Sequence, residues 1–249
     1  MALAHTTRIL PALLLGLTAA AANVAGGLLI AHRQWSRRYL KYFIALGAGF
    51  MLATALVEMI PESVKLRNGS ISAFLIVLAG YFIVHFFEHT AAPHFHFGEE
   101  THQEEISHAH ASYAALLGLV IHTFFDGVAI ASGLLVSPWL GGVIFVAIFL
   151  HKIPEGFTVA SMMLASGQSG RAAFTSSAIL GGATLVGVGL MFVLRGAVAD
   201  ALPLSAGVTL YVAASDLIPE VNREPGVGMA ALVFLGVAVM ILLRALFHV

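Results

Sequence analysis

The chain has 249 residues, 59% of them hydrophobic and only 10% charged, with a formal net charge of −1. A soluble domain carries roughly 25% charged residues and a nucleic-acid-binding one is basic, so this composition excludes both and reads as an all-α integral membrane protein. The absence of cysteine leaves imidazole, carboxylate and thioether as the side chains able to hold a metal, and twelve histidines are many for so apolar a chain.

A membrane-crossing helix needs about 20 mostly apolar residues. Eight runs meet that length: 9–31, 40–62, 71–90, 112–136, 138–164, 172–195, 203–221 and 226–247. Turn and polar residues separate them, including Asp200–Pro203 before the seventh. The chain therefore reads as one transmembrane domain over 1–249 with a histidine-rich loop over 91–111 inside it. The first run is longer than the roughly 7–15 apolar residues of a signal peptide and is kept as a span. Its central Asn23 is expected to make a helix–helix hydrogen bond.

Arg33, Arg37, Arg38, Lys41, Arg171 and Arg223 fall on one side of the membrane, against Arg8, Lys65, Arg67, Arg195 and Arg244 on the other. That bias is small, but it places both termini extracytoplasmic and the 91–111 loop in the cytoplasm. Glu58 and Glu62 then end the second helix at the outer face, where they could gather cations. On the third, His85, Glu88 and His89 share one face toward the inner side. The loop adds His94, His96, His102, His108 and His110 among Glu99, Glu100, Glu104 and Glu105. Such a tract binds metal weakly, or is a solvated segment that needs no ligand.

Helices 4 and 5 carry nearly the same phrase, His122-Thr123-Phe124-Phe125-Asp126-Gly127 and His151-Lys152-Ile153-Pro154-Glu155-Gly156. In each, histidine and carboxylate share a helix face. At 1.5 Å per residue the histidines lie about 15 Å and about 18 Å into their helices, level from opposite directions. Intramembrane ionisable groups are costly and mark ion paths. The pattern predicts a midplane site in which His122, Asp126, His151 and Glu155 hold a divalent cation; the alternative is a set of interhelical hydrogen bonds. Lys152 sits beside the site, where a buried ammonium must pair, here with Asp126 or Glu155, or lose its proton. Pro154 predicts a kink, and Gly127 and Gly156 permit close helix approach.

Ala45–Glu62 aligns with Pro203–Glu220 at eight of 18 identical positions, pairing Glu58 with Asp216. Small residues align by chance in membrane helices, but a carboxylate followed by two apolar residues and then Pro-Glu rarely recurs so. The two stretches are helices 2 and 7, which run in opposite directions. This reads as an inverted repeat, helices 1–3 against 6–8 with 4 and 5 as a pair, a pattern typical of secondary transporters. Asp216 and Glu220 fall toward the inner end of helix 7, as exit-path ligands with His85, Glu88 and His89, or as interfacial groups meeting water.

The paired phrases on helices 4 and 5, with Ile60-Pro61-Glu62 and Ile218-Pro219-Glu220, resemble the ZIP (ZRT/IRT-like) metal-ion transporters over the whole chain. The resemblance implies a 3+2+3 helix arrangement, homodimers in the cell membrane, and uptake of a divalent transition metal into the cytoplasm by alternating access, often proposed to be elevator-like. Zn²⁺ leads, with Fe²⁺, Mn²⁺ or Cd²⁺ possible; the ion is cargo, and no cofactor or enzymatic activity is expected. Many members hold two metals. Thr123 and Lys152 stand where those members have asparagine and a carboxylate or amide, which predicts one transport metal here. Two other readings are a cation exporter, which would show six spans and a cytoplasmic domain, and a b-type haem protein using His122 and His151.

Overall fold

Eight helices among the described residues are long and apolar enough to cross a membrane. They are α1 (Arg8–Leu28), α2 (Leu40–Leu66), α3 (Ser72–Thr90), α4 (Ser112–Val136), α5 (Pro138–Ala165), α6 (Gly170–Val193), α7 (Arg195–Arg223) and α8 (Val227–Phe247). The structure, a computed structural model, describes residues 2–29, 33–90, 109–224 and 226–247. The segment 91–108, with His94, His96, His102 and His108, lies outside the described residues, as does the side chain of His110.

Local chemistry sets the helix ends. Ser137 caps α5 by accepting from the Leu140 N–H, with Pro138 at the first helical position. Ser169 does the same for α6 through Ala172. Arg8 Nη1 donates to the carbonyls of Leu134, Leu135 and Val136, at 2.7–3.1 Å, and so holds the C-terminal end of α4 to the start of α1. Helix α5 runs uninterrupted through Pro154.

The break expected at Asp200–Pro203 is not there. A short 3₁₀ turn at Arg195–Ala197 leads directly into helix from Val198, and the helix continues through Pro203. Proline cannot bond the carbonyl four residues before it. Here that carbonyl, Ala199, accepts from Arg67 Nη1 at 3.4 Å, and the same guanidinium pairs with Asp200. A side chain from the α2–α3 turn thus replaces what the proline removed.

Helices α1, α4, α5 and α6 pack on one another, while α2 packs on α8, α3 on α7, and α2 on α7. Contacts of α2 with α5 and of α4 with α7 join the two groups. The most exposed helices, α3 and α8, present Phe82, Phe86, Phe234 and Leu242 outward, as a lipid-facing helix does.

Glycines set how close the helices come, and their contacts occur in matching pairs. A Cβ on Gly49 would stand 1.9 Å from the Val233 carbonyl oxygen, and one on Gly207 the same 1.9 Å from that of Val77. In return, one on Gly236 would meet the Leu46 oxygen at 2.3 Å, and one on Gly80 that of Leu204 at 2.0 Å. Gly49 and Gly207, like Leu46 and Leu204, hold the same positions in the two aligned stretches. Around the centre, Gly127 faces the Thr184 oxygen (2.0 Å) and Gly156 that of Asn23 (1.9 Å), while Gly187 and Gly26 face Phe124 and Ile153 (both 2.1 Å).

Helices α2 and α7 each widen into a π turn, Ala55–Met59 and Val212–Leu217, immediately before Ile60-Pro61 and Ile218-Pro219. Such turns are rare and concentrate at functional sites. Glu58 and Asp216 sit on them.

Candidate metal centre

Helices α4 and α5 bring His122, Asp126, His151 and Glu155 together, with one ligand atom from each lying within 4.8 Å of all the others. All four are buried. The imidazole centroids are 5.5 Å apart. His122 Nε2 and His151 Nε2 stand 3.2 and 3.3 Å from the same oxygen, Asp126 Oδ2. His122 Nε2 makes no hydrogen bond, and Asp126 Oδ1 has no partner.

The contact of His151 is informative. Its Nδ1 faces the Ala147 carbonyl at 3.2 Å. A carbonyl only accepts, so Nδ1 carries the proton, and the Nε2 of a neutral ring is then a bare lone pair. That lone pair faces a carboxylate oxygen, which is also only an acceptor. That oxygen is met by the Lys152 ammonium at 2.6 Å, so the imidazole lone pair stays available to a cation. Two imidazoles and two carboxylates, with His122 Nε2 and Asp126 Oδ1 unbonded, are a donor set suited to Zn²⁺, Fe²⁺ or Mn²⁺.

Lys152 is fully buried in the same place. Its ammonium lies 2.6 Å from Asp126 Oδ2, 2.5 Å from Glu155 Oε2 and 3.3 Å from Thr123 Oγ1. Those contacts use its three N–H bonds. The Thr123 hydroxyl in turn donates to Glu155 Oε1. The ammonium therefore ties α4 to α5 through both carboxylates of the site.

The other sequence-read residues stand apart from this centre. Glu58 is buried and accepts from Arg244 Nη1 at 2.7 Å; the same guanidinium reaches the Val57 carbonyl, four residues before Pro61, at 2.6 Å. Glu62 pairs with Lys65 at 3.0 Å. At the opposite end, the Tyr211 hydroxyl donates to Glu88 Oε2 at 2.7 Å. Asp216 is buried with Oδ1 unbonded. His85 stacks on His89 at 4.1 Å between centroids and lies 6.0 Å from the Tyr211 ring. Glu220 is 3.4 Å from Arg223. The helix–helix hydrogen bond expected of Asn23 is not made: both its amide atoms are buried without a partner, because α1 meets Gly156 through its backbone.

Sequence reasoning missed Arg244 and Tyr211. Arg244 reads as an interfacial arginine near a helix end, and only its bonds to Val57 and Glu58, on the π turn of another helix, reveal its role. Removing it leaves a buried carboxylate uncompensated. Arg244→Gln is expected to cost about 1–2 kcal/mol, below the roughly 3–5 of a fully buried pair because the arginine is partly exposed. Thermal melting in detergent measures it, and adding Glu58→Gln should recover part of the loss.

The family model described as ZIP Zinc transporter matches residues 7–115 and 94–244. The chain belongs to the ZIP zinc transporter family. The "Zinc transporter ZIP9-A" of Xenopus laevis is 25% identical over 250 residues, covering 79% of this chain and 82% of that protein. The "Zinc transporter ZIP5" of Mus musculus is 31% identical over 133 residues, 51% of this chain but 25% of its own length. The "Zinc transporter ZIP13 homolog" of Drosophila melanogaster is 29% identical over 149 residues, 55% of this chain and 42% of that protein. These relatives are named as transporters, not enzymes. With eight span-length helices, this ZIP family member is a multi-pass membrane protein.

Proposed function

We propose that this protein carries a divalent transition-metal ion, Zn²⁺ foremost and Fe²⁺, Mn²⁺ or Cd²⁺ as alternatives, through the membrane into the cytoplasm by alternating access. His122, Asp126, His151 and Glu155 bind the ion, one per cycle, with the Lys152 ammonium beside Thr123 in the place of a second cation. The observation that carries this reading is the convergence of the four ligands, with a lone pair and a carboxylate turned on each other, at mid-helix on α4 and α5.

In this reading both termini lie outside. Glu58 and Glu62 receive the ion once Arg244 releases Glu58, and Glu88, Asp216, Glu220, His85 and His89 line its way out. The matched glycine contacts and π turns support a 3+2+3 inverted repeat. The packing of α1, α4, α5 and α6 as a group suits motion of the site-bearing helices against α2, α3, α7 and α8. The protein works as a homodimer in the plasma or inner membrane. The 91–111 loop, through His94, His96, His102, His108 and His110, buffers metal weakly in the cytoplasm.

Influx of Zn²⁺, Fe²⁺, Mn²⁺ and Cd²⁺ into proteoliposomes tests the proposal: saturable influx supports it, and absence of influx of any of them sinks it. Ligands must be deprotonated to bind metal. Uptake is accordingly expected to fall as the metal side is acidified, and its recovery at high metal concentration would show competition at the site.

A further inference from the structure

We propose that the Lys152 ammonium is a built-in counter-cation for the return of the empty carrier. This rests on metal transport through the α4–α5 site and adds a step to it, the reorientation of the site after the ion has left.

The inference follows from charge. With both imidazoles neutral, as ligation requires, Asp126 and Glu155 alone would give the empty site two negative charges. The ammonium held against both leaves one. The cost of placing charge in a low-dielectric medium rises with its square, so an uncompensated pair costs roughly four times a single charge. A carrier facing that cost can lower it by taking up a second ion before it returns. Here the second ion is covalently attached.

The ammonium also leaves room for the cargo. Its contacts fall on Asp126 Oδ2 and Glu155 Oε2, whereas Asp126 Oδ1 and His122 Nε2 have no hydrogen-bond partner. The site thus keeps ligand atoms without a partner while the lysine is in place, and we take the lysine to stay when the ion binds. The loaded site then carries one positive charge. Empty and loaded forms thus have charges of equal size and opposite sign, and neither crossing is favoured at the other's expense. Without the lysine the loaded site would be neutral and the empty one doubly charged, so only the return would be slowed.

That asymmetry gives the test. Net uptake into metal-free proteoliposomes needs the empty return. Exchange of labelled Zn²⁺ outside for unlabelled Zn²⁺ inside does not. Lys152→Gln is expected to lower the ratio of net uptake to exchange at least about tenfold, whatever the change in exchange itself, with thermal melting and gel filtration confirming folded protein; a tenfold rate change corresponds to about 1.4 kcal/mol. Lys152→Arg keeps the charge and should keep the ratio of net uptake to exchange near its original value, even where both rates drop. Lys152→Gln protein that keeps its net uptake, or loses both fluxes together, overturns the proposal, as does a Lys152→Arg ratio as low as that of Lys152→Gln. If the unmodified protein shows neither flux, metal transport itself is refuted.

Discussion

His151→Ala is expected to reduce Zn²⁺ influx into proteoliposomes by more than about 100-fold. Loss of a group that merely supports a metal ligand costs roughly 10–100-fold in affinity or activity, and His151 is placed as a ligand itself. Its ring is held on one side by the Ala147 carbonyl and faces Asp126 on the other. Alanine removes the nitrogen and leaves Asp126 with the lysine and His122 as neighbours. The variant should still fold, because Lys152 continues to tie α4 to α5 through both carboxylates. Thermal melting and gel filtration check that. Influx at the original rate from well-folded His151→Ala protein would show that the ion does not pass through this cluster.

Gly156→Ala should be among the most damaging single changes in the chain. A Cβ there would stand 1.9 Å from the Asn23 backbone oxygen and 2.7 Å from its carbonyl carbon, and backbone cannot swing aside as a side chain can. Overpacking a core by one methyl typically costs 1–3 kcal/mol. With rigid backbone on the other side, about 3 kcal/mol or more is expected. The α1–α5 contact would open just beside Glu155, so both the yield of folded protein and metal affinity should fall. Gly182→Ala is the matched control, a glycine in α6 with nothing within 4 Å of the added methyl. It should be neutral or slightly stabilising, and equal melting temperatures for the two variants would refute the close approach.

The fold and centre were legible to different depths. The four proposed ligands could be read because a histidine and a carboxylate four apart on a helix share a face whatever surrounds them. Span count followed from hydropathy, and Gly127 and Gly156 announced close contacts without naming their partners. What escaped were effects of other helices on a helix's own rules. Proline at 203 reads as a stop, yet Arg67, far away in sequence, bonds the carbonyl it frees. Pro61 and Pro219 were read as part of a repeated helix end, and nothing local showed that the turns before them are π turns. Glu58 looked like a surface cation-gatherer because nothing local shows that Arg244 reaches it. Asn23 looked like a hydrogen-bonding residue because sequence cannot show that it is the Asn23 backbone, not its amide, that meets the facing glycine.

The contacts of α2 with α8 recur between α7 and α3, yet they end differently. Eight residues beyond Gly236 stands Arg244, and eight beyond Gly80 stands Glu88. One end of the molecule thus closes on a guanidinium and a glutamate, the other on a glutamate and an aspartate held near a tyrosine. Backbone likeness between the halves would make a protein that reads alike from either face of a bilayer. The exchanged charge gives it a polarity. Inserted at random into vesicles, the chain forms two populations, each offering the arriving ion a different doorway.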